Sequence, residues 1–180
     1  MRKFGIIIFM IAICVAYFFY AKERPGIKSE VGTNAIQVDK KFEDIKEKLE
    51  EEYPVTAKEV IKVYNELMGY AYCSSMKDEY IEGYVDAIRL LYSKELLKLN
   101  SKEKQVAAIT AERVAEVDKP LVVIESSIET VVKPEVDGKI SDTEAQVEVK
   151  HSTNKSDILR TYTLIKEDGK WKIKSWKDEK

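Results

Sequence analysis

At Pro120 the spacing of apolar residues changes from helical to alternating, and that switch limits the fold more than any motif in the chain. Downstream of it, Val122, Ile124, Ser126, Ile128, Thr130 and Val132 read as one face of a long strand, with Glu125 and Glu129 on the other. Asp137 and Gly138 mark a turn. Ala145, Val147 and Val149 then alternate with Gln146, Glu148 and Lys150, the pattern of a strand with one wet face. A third strand covers 158–166, and the two-residue Asp168–Gly169 loop returns the chain through Trp171, Lys172, Ile173 and Lys174. With the loop fixed there, Lys166 pairs with Trp171, Leu164 with Ile173 and Tyr162 with Ser175.

Upstream of the switch the period is three to four. Phe42, Ile45, Leu49 and Tyr53 form a narrow stripe on a helix over 39–53, which either lies on its own domain or joins two copies in a homodimer. Pro54 ends that helix, because the residue before a proline disfavours helical dihedrals. Thr56 with Glu59 makes a capping box for a helix carrying Val60, Val63, Tyr64, Leu67, Met68 and Ala71. Ser75 is expected to cap the next, whose inner stripe is Ile81, Tyr84, Val85, Ile88 and Leu91. Ser93 and Ser101 open shorter pieces, the second with Val106, Ile109, Val114 and Val117 facing inward. Helices followed by an antiparallel sheet of about four strands make an α+β fold.

The first residues follow another pattern. Arg2 and Lys3 precede an uninterrupted apolar run from Phe4 to Ala21, which as a helix at about 1.5 Å per residue covers roughly 27 Å, close to a bilayer's hydrocarbon thickness. Phe19 is too large for a signal-peptidase site ending at Ala21, so cleavage is not expected. The division that follows is a transmembrane signal-anchor helix at 1–21, in contact with the lipid bilayer through 4–21; a flexible tether at 22–38; a juxtamembrane amphipathic helix at 39–53; and an α+β domain at 54–180. A short basic start before an apolar run usually sends the following domain across, so a single-pass cell-membrane protein with an extracytoplasmic domain is expected.

Composition narrows the chemistry. The 30 basic and 32 acidic residues are interspersed, which argues against a nucleic-acid-binding surface. Cys14 and Cys73 are too few for a disulfide framework or a cysteine zinc site. His151, the one histidine, shares parity with Val147 and Val149 but precedes Ser152, Thr153 and Asn154, so it is expected on the turn side with no metal ligand or triad partner nearby. Seven glycines, spread singly, form no phosphate loop. No catalytic residue, metal or cofactor is expected.

The stretch from Arg160 to Trp176, RTYTLIKEDGKWKIKSW, resembles the closing hairpin of nuclear-transport-factor-2-like domains, in which a Gly-Lys-Trp-Lys-Ile type of strand packs on an N-terminal helix. That resemblance implies a cone in which helices cover a curved antiparallel sheet. It also brings isomerases and dehydratases whose pocket holds an Asp or a His and Asp pair, a motif not matched here. The plan of anchor plus domain is similar to uncharacterised single-span membrane proteins of Gram-positive bacteria and to the single-span scaffold subunit of type IV secretion systems.

Tyr64, Tyr84, Tyr162 and Trp171 are expected to face the helix–sheet interior, with Arg160 on the same face of its strand as Tyr162. Joined by Ser126 and Thr130, these five are the candidate ligand-binding residues. An Arg in that position either reaches solvent or binds an anion. The leading expectation is a noncatalytic scaffold that binds proteins in a bacterial envelope, secretion or sporulation assembly. The alternatives are a pocket for a small apolar ligand bounded by Tyr84, Tyr162 and Trp171, and an isomerase-like enzyme with a buried carboxylate of raised pKa.

Overall fold

The structure, a computed structural model, describes residues 38–73, 76–115, 118, 120–136 and 139–179. All fall within the unit Thr33–Lys180. Among the described residues five helices precede the strands: α1 (Val38–Glu51), α2 (Ala57–Ala71), α3 (Ile81–Arg89, entered through a 3-10 turn at Asp78–Tyr80), α4 (Lys94–Leu99) and α5 (Lys102–Ala115). The strands are β1 (Val123–Val132), β2 (Glu135–Val136), β3 (Lys139–Ile140), β4 (Glu144–Thr153), β5 (Asp157–Glu167) and β6 (Lys170–Asp178). The main sheet is antiparallel in the order β1-β4-β5-β6, and β2 pairs with β3.

The α+β class and the four-stranded sheet are observed, and the transmembrane part of the expected fold is corrected. Among the described residues no helix is long and apolar enough to cross a membrane. The longest, α2, has 15 residues and one buried face. The span expected at 1–21, with its bilayer contact, and the tether up to residue 37 lie outside the described residues, as do the Ser75 cap and the Asp137–Gly138 turn.

The helical stripes become the core. Val38, Phe42, Ile45 and Leu49 of α1 are all buried, Phe42 completely, with its ring 5.6 Å from Tyr84 of α3 and 6.4 Å from Tyr70 of α2. Those side chains are enclosed by their own domain, so a seam between two copies through Phe42, Ile45, Leu49 and Tyr53 would first have to withdraw them from it. Tyr53 lies beyond the end of α1, and its OH donates to the Trp171 carbonyl at 2.8 Å. The capping box at Thr56 is complete: Glu59 N–H bonds Thr56 Oγ1 at 3.2 Å and Thr56 N–H bonds Glu59 Oε2 at 3.1 Å. It starts α2, which lays Tyr64 on the sheet with its ring 5.1 Å from that of Tyr162. In α5 the buried residue is Gln105, whereas Val106 and Ile109 are partly buried and Val114 is exposed, because α5 packs mainly along α3.

Register decides which strand residues join that core. β4 keeps its alternation, burying Ala145, Val147 and Val149. The β5–β6 turn places Asp168 and Gly169 at φ 51° and 79°, as a two-residue hairpin loop requires. Lys166 pairs with Trp171 and Leu164 with Ile173, but a shift beyond Leu164 sets Tyr162 opposite Trp176, with Ser175 opposite Thr163. β1 is interrupted twice, between Val123 and Glu125 and between Ile128 and Thr130. Each interruption inserts a residue and inverts the parity that follows. Ser126 and Ile128 therefore oppose the buried His151 and Val149, while Val131, not Thr130 or Val132, opposes Val147.

Candidate functional site

β4 and β5 carry a set of polar groups into the interior. His151 is 3% exposed, correcting its expected place on a turn: β4 runs two residues past it. Its Nδ1 lies 2.8 Å from Ser126 Oγ of β1 and its Nε2 lies 3.1 Å from Tyr162 OH of β5. A neutral imidazole donates from one nitrogen and accepts at the other, so either tautomer serves both hydroxyls. Burial, assisted by the Arg160 charge and opposed by Asp178, lowers the His151 pKa to about 4. The ring is neutral at physiological pH.

Arg160 is paired within the sheet. Its cross-strand neighbour on β6 is Asp178, and Nε and Nη2 form a fork on the two carboxylate oxygens, the second at 3.0 Å. Burial acts to lower the Arg160 pKa, but Asp178 with Tyr162 and Tyr64 outweighs it and leaves it raised. The same fork lowers that of Asp178. Burial pushes the Tyr64 and Tyr162 hydroxyls up, so both stay protonated.

Beside this cluster is a recess of about 100 Å³, walled by Met68, Leu121, Val123 and Ile158 and edged by Tyr72, Glu112, His151, Thr153 and Arg160. Tyr72 OH donates to Glu112 Oε2 at 3.1 Å, and Thr153 Oγ1 donates to the Ser156 carbonyl at 2.6 Å. With His151 and Arg160 occupied as described, each polar group on the recess has a partner within the protein. Asn65 of α2 is an exception elsewhere in the interior: its Oδ1 is buried without a hydrogen bond. At about 100 Å³ the recess is well below the roughly 300–1000 Å³ of small-molecule pockets.

Of the five candidate residues, Tyr64, Arg160 and Tyr162 come together around His151, and Arg160 alone of the five lines the recess. Tyr84 lies against Phe42, with its OH 3.2 Å from Met68 Sδ. Trp171 is buried at the far hairpin with Lys166 Nζ 5.9 Å from its ring centroid. Thr130 is exposed on the outer face. Tyr84, Tyr162 and Trp171 are each buried, and none of them lines the recess. The residues that sequence reasoning left out are His151 and Asp178, together with Tyr72 and Glu112 at the rim. The parity of His151 with Val147 and Val149 is the one signal that could have found it. Among the described residues no group of three or more His, Cys, Asp or Glu side chains is placed to hold a metal ion.

Residues 1–176 match a family model described as Domain of unknown function (DUF6715). No curated protein matches the chain. Among solved structures, it is similar to the intermembrane space region of chloroplast protein ARC6 at 14% identity and a TM-score of 0.38, over 68% of this chain and 92% of that one, a likeness too distant to carry an argument.

Proposed function

The chain belongs to the family described as Domain of unknown function (DUF6715), and for it we propose a noncatalytic role as a protein-binding module. The observation that carries this reading is the saturation of the recess. Ser126 and His151 form the hydrogen-bonded pair that a nucleophile and base would, but the other ring nitrogen meets Tyr162 OH and not a carboxylate, and Arg160, Tyr72 and Thr153 are each engaged by another part of the domain. Charge supports the same reading. Hydrogen bonds and nearby cations hold the carboxyl groups of Glu103, Asp157, Asp168 and Asp178 below their ordinary range, the reverse of a general acid held protonated by burial. Contact with other molecules then falls to the outside, where Val55, Leu99, Val132, Ile140 and Trp176 are exposed apolar side chains.

A photo-crosslinking residue placed singly at Leu99, Val132 and Trp176 of the full chain, in the cell that makes it, should yield a discrete protein adduct from at least one site. If all three yield none, while a metabolite raises the melting temperature of the purified chain and shifts the His151 resonances, the ligand-pocket reading replaces this one.

A further inference from the structure

We propose that the outer edge of β1 receives an extended basic segment of a partner protein as an added strand, an assignment that rests on the protein-binding reading above. The sheet has two edges and they are treated differently. At β6, Ile173 N–H bonds the Leu91 carbonyl at 2.8 Å and Ser93 N–H bonds the Ile173 carbonyl at 2.9 Å, so the segment before α4 covers that edge with a short parallel bridge at Tyr92. At β1, Val123 N–H meets the Tyr72 carbonyl at 3.2 Å, and beyond that point no other strand among the described residues pairs with the side facing away from β4. Backbone groups on such an edge form a template for another chain.

The chemistry of the edge selects its occupant. From Val123 to Val132 the strand carries Glu125 and Glu129 and no basic residue, and both glutamates are exposed. Glu148 lies opposite Thr130 on β4, while the nearby Lys150 is held first by Asp157 at 2.8 Å and acts more weakly on Glu129. The surplus is negative. A second copy of this strand would bring like charges together, and the two interruptions in β1 twist it away from flat pairing, so indiscriminate addition is disfavoured. A segment with Lys or Arg at alternate positions gains charge pairs as well as backbone bonds. At the far end Val131 and Val132 are 43% and 48% exposed, which adds an apolar contact for the end of that segment.

The probe is a peptide of alternating lysine and valine matching the 10 residues of β1, with its glutamate–valine counterpart as control, titrated against the isotope-labelled full chain. The lysine peptide should shift and protect the amides of 124–132, bind at least about tenfold more tightly than the control, and weaken as salt rises. The double variant Glu125→Lys/Glu129→Lys, which alters only exposed side chains, should invert the preference. Equal binding of both peptides, or shifts centred on β6 or the recess, overturns the assignment. If the peptides fail while a crosslinker at Leu99 or Trp176 still captures a protein, the β1 assignment falls and the binding reading stands; if the crosslinkers fail too, both fall.

Discussion

The domain buries two regions by opposite means. Around Phe42, the meeting of α1, α2 and α3 excludes water with apolar side chains and rings alone: Ile45, Leu49, Ile61, Leu67, Ile81 and Val85 are all buried. Around His151, burial is reached with polar groups that satisfy one another, from Ser126 through the imidazole to Tyr162 and from Arg160 to Asp178, and it thins toward that last carboxylate. Contacts in the first region are numerous and individually weak, so its stability follows volume. In the second they are few and specific, so it follows pairing and protonation. Changes in volume and changes in charge should therefore separate the two.

The largest effect is expected from volume. Phe42→Ala removes a fully buried ring that touches two helices and should lower unfolding stability by about 3–5 kcal/mol in denaturant titration, independent of pH between 4 and 7. A loss below about 1 kcal/mol would mean that α1 is not part of the core, because surface substitutions stay near that range.

The pH response should come from the other region. In the unfolded chain His151 titrates near 6.5, whereas in the fold its pKa is about 4, so between those values the unfolded state binds more protons. Stability must fall as pH falls from about 6.5 to about 4, by roughly 3 kcal/mol in total, because each pKa unit is worth about 1.4 kcal/mol. Lowered carboxylates such as Asp178 act below this window, where their unfolded counterparts take up protons. Comparing thermal unfolding at pH 7 and pH 4.5 for the natural chain and for His151→Gln tests the assignment. The variant should lose most of the slope, and an unchanged slope would place the response elsewhere.

Asp178→Asn comes next. The Arg160 side chain is 17% exposed and that of Asp178 54%, so removing the carboxylate strands a mostly buried cation whose partner was half in water. Breaking a fully buried pair costs about 3–5 kcal/mol; solvent screening at Asp178 reduces this to about 1–2 kcal/mol. Adding Arg160→Met to Asp178→Asn should restore part of the loss, since the stranded charge is then gone. No recovery in the double variant would show that packing and not the charge pair sets the cost.

The same contrast explains what can be read from the sequence. The Phe42 region is legible because apolar stripes have a period: spacing selects most of the buried residues of α1, α2 and α3, though not Ile61, and the Asp168–Gly169 loop locates the last turn, with pairing as expected out to Leu164 and Ile173. The His151 region resists, because a polar residue looks the same at a strand end and in a core until its partners are known. Ser126 stands 25 residues from His151, and Asp178 stands 18 from Arg160. β1 resists for another reason. Its extra residues invert the alternation without changing composition, so Val132 and Thr130 read as inward and Val131 as outward, opposite to their pairing. Helix α5 shows a third kind of failure: its weak stripe points to Val114, which is exposed, and passes over Gln105, which bonds Tyr92 OH at 3.4 Å.

The smallest effect should mark where the polar region meets water. Tyr72 is half-buried at the rim of the recess and donates to Glu112, an exposed residue of α5. Burial, then Glu112, raises the Tyr72 pKa, so the hydroxyl is protonated and donates throughout the neutral range. In Tyr72→Phe the ring keeps its packing and Glu112 turns to solvent, so no buried group is left unpaired. The expected loss is about 0.5–1 kcal/mol in denaturant titration, against the larger cost of Asp178→Asn. A loss above about 2 kcal/mol would show that Glu112 is held as tightly as Arg160 and that the saturated interior extends to α5. A loss near zero would instead confine it to the sheet, with the recess acting as an open border between the two regions.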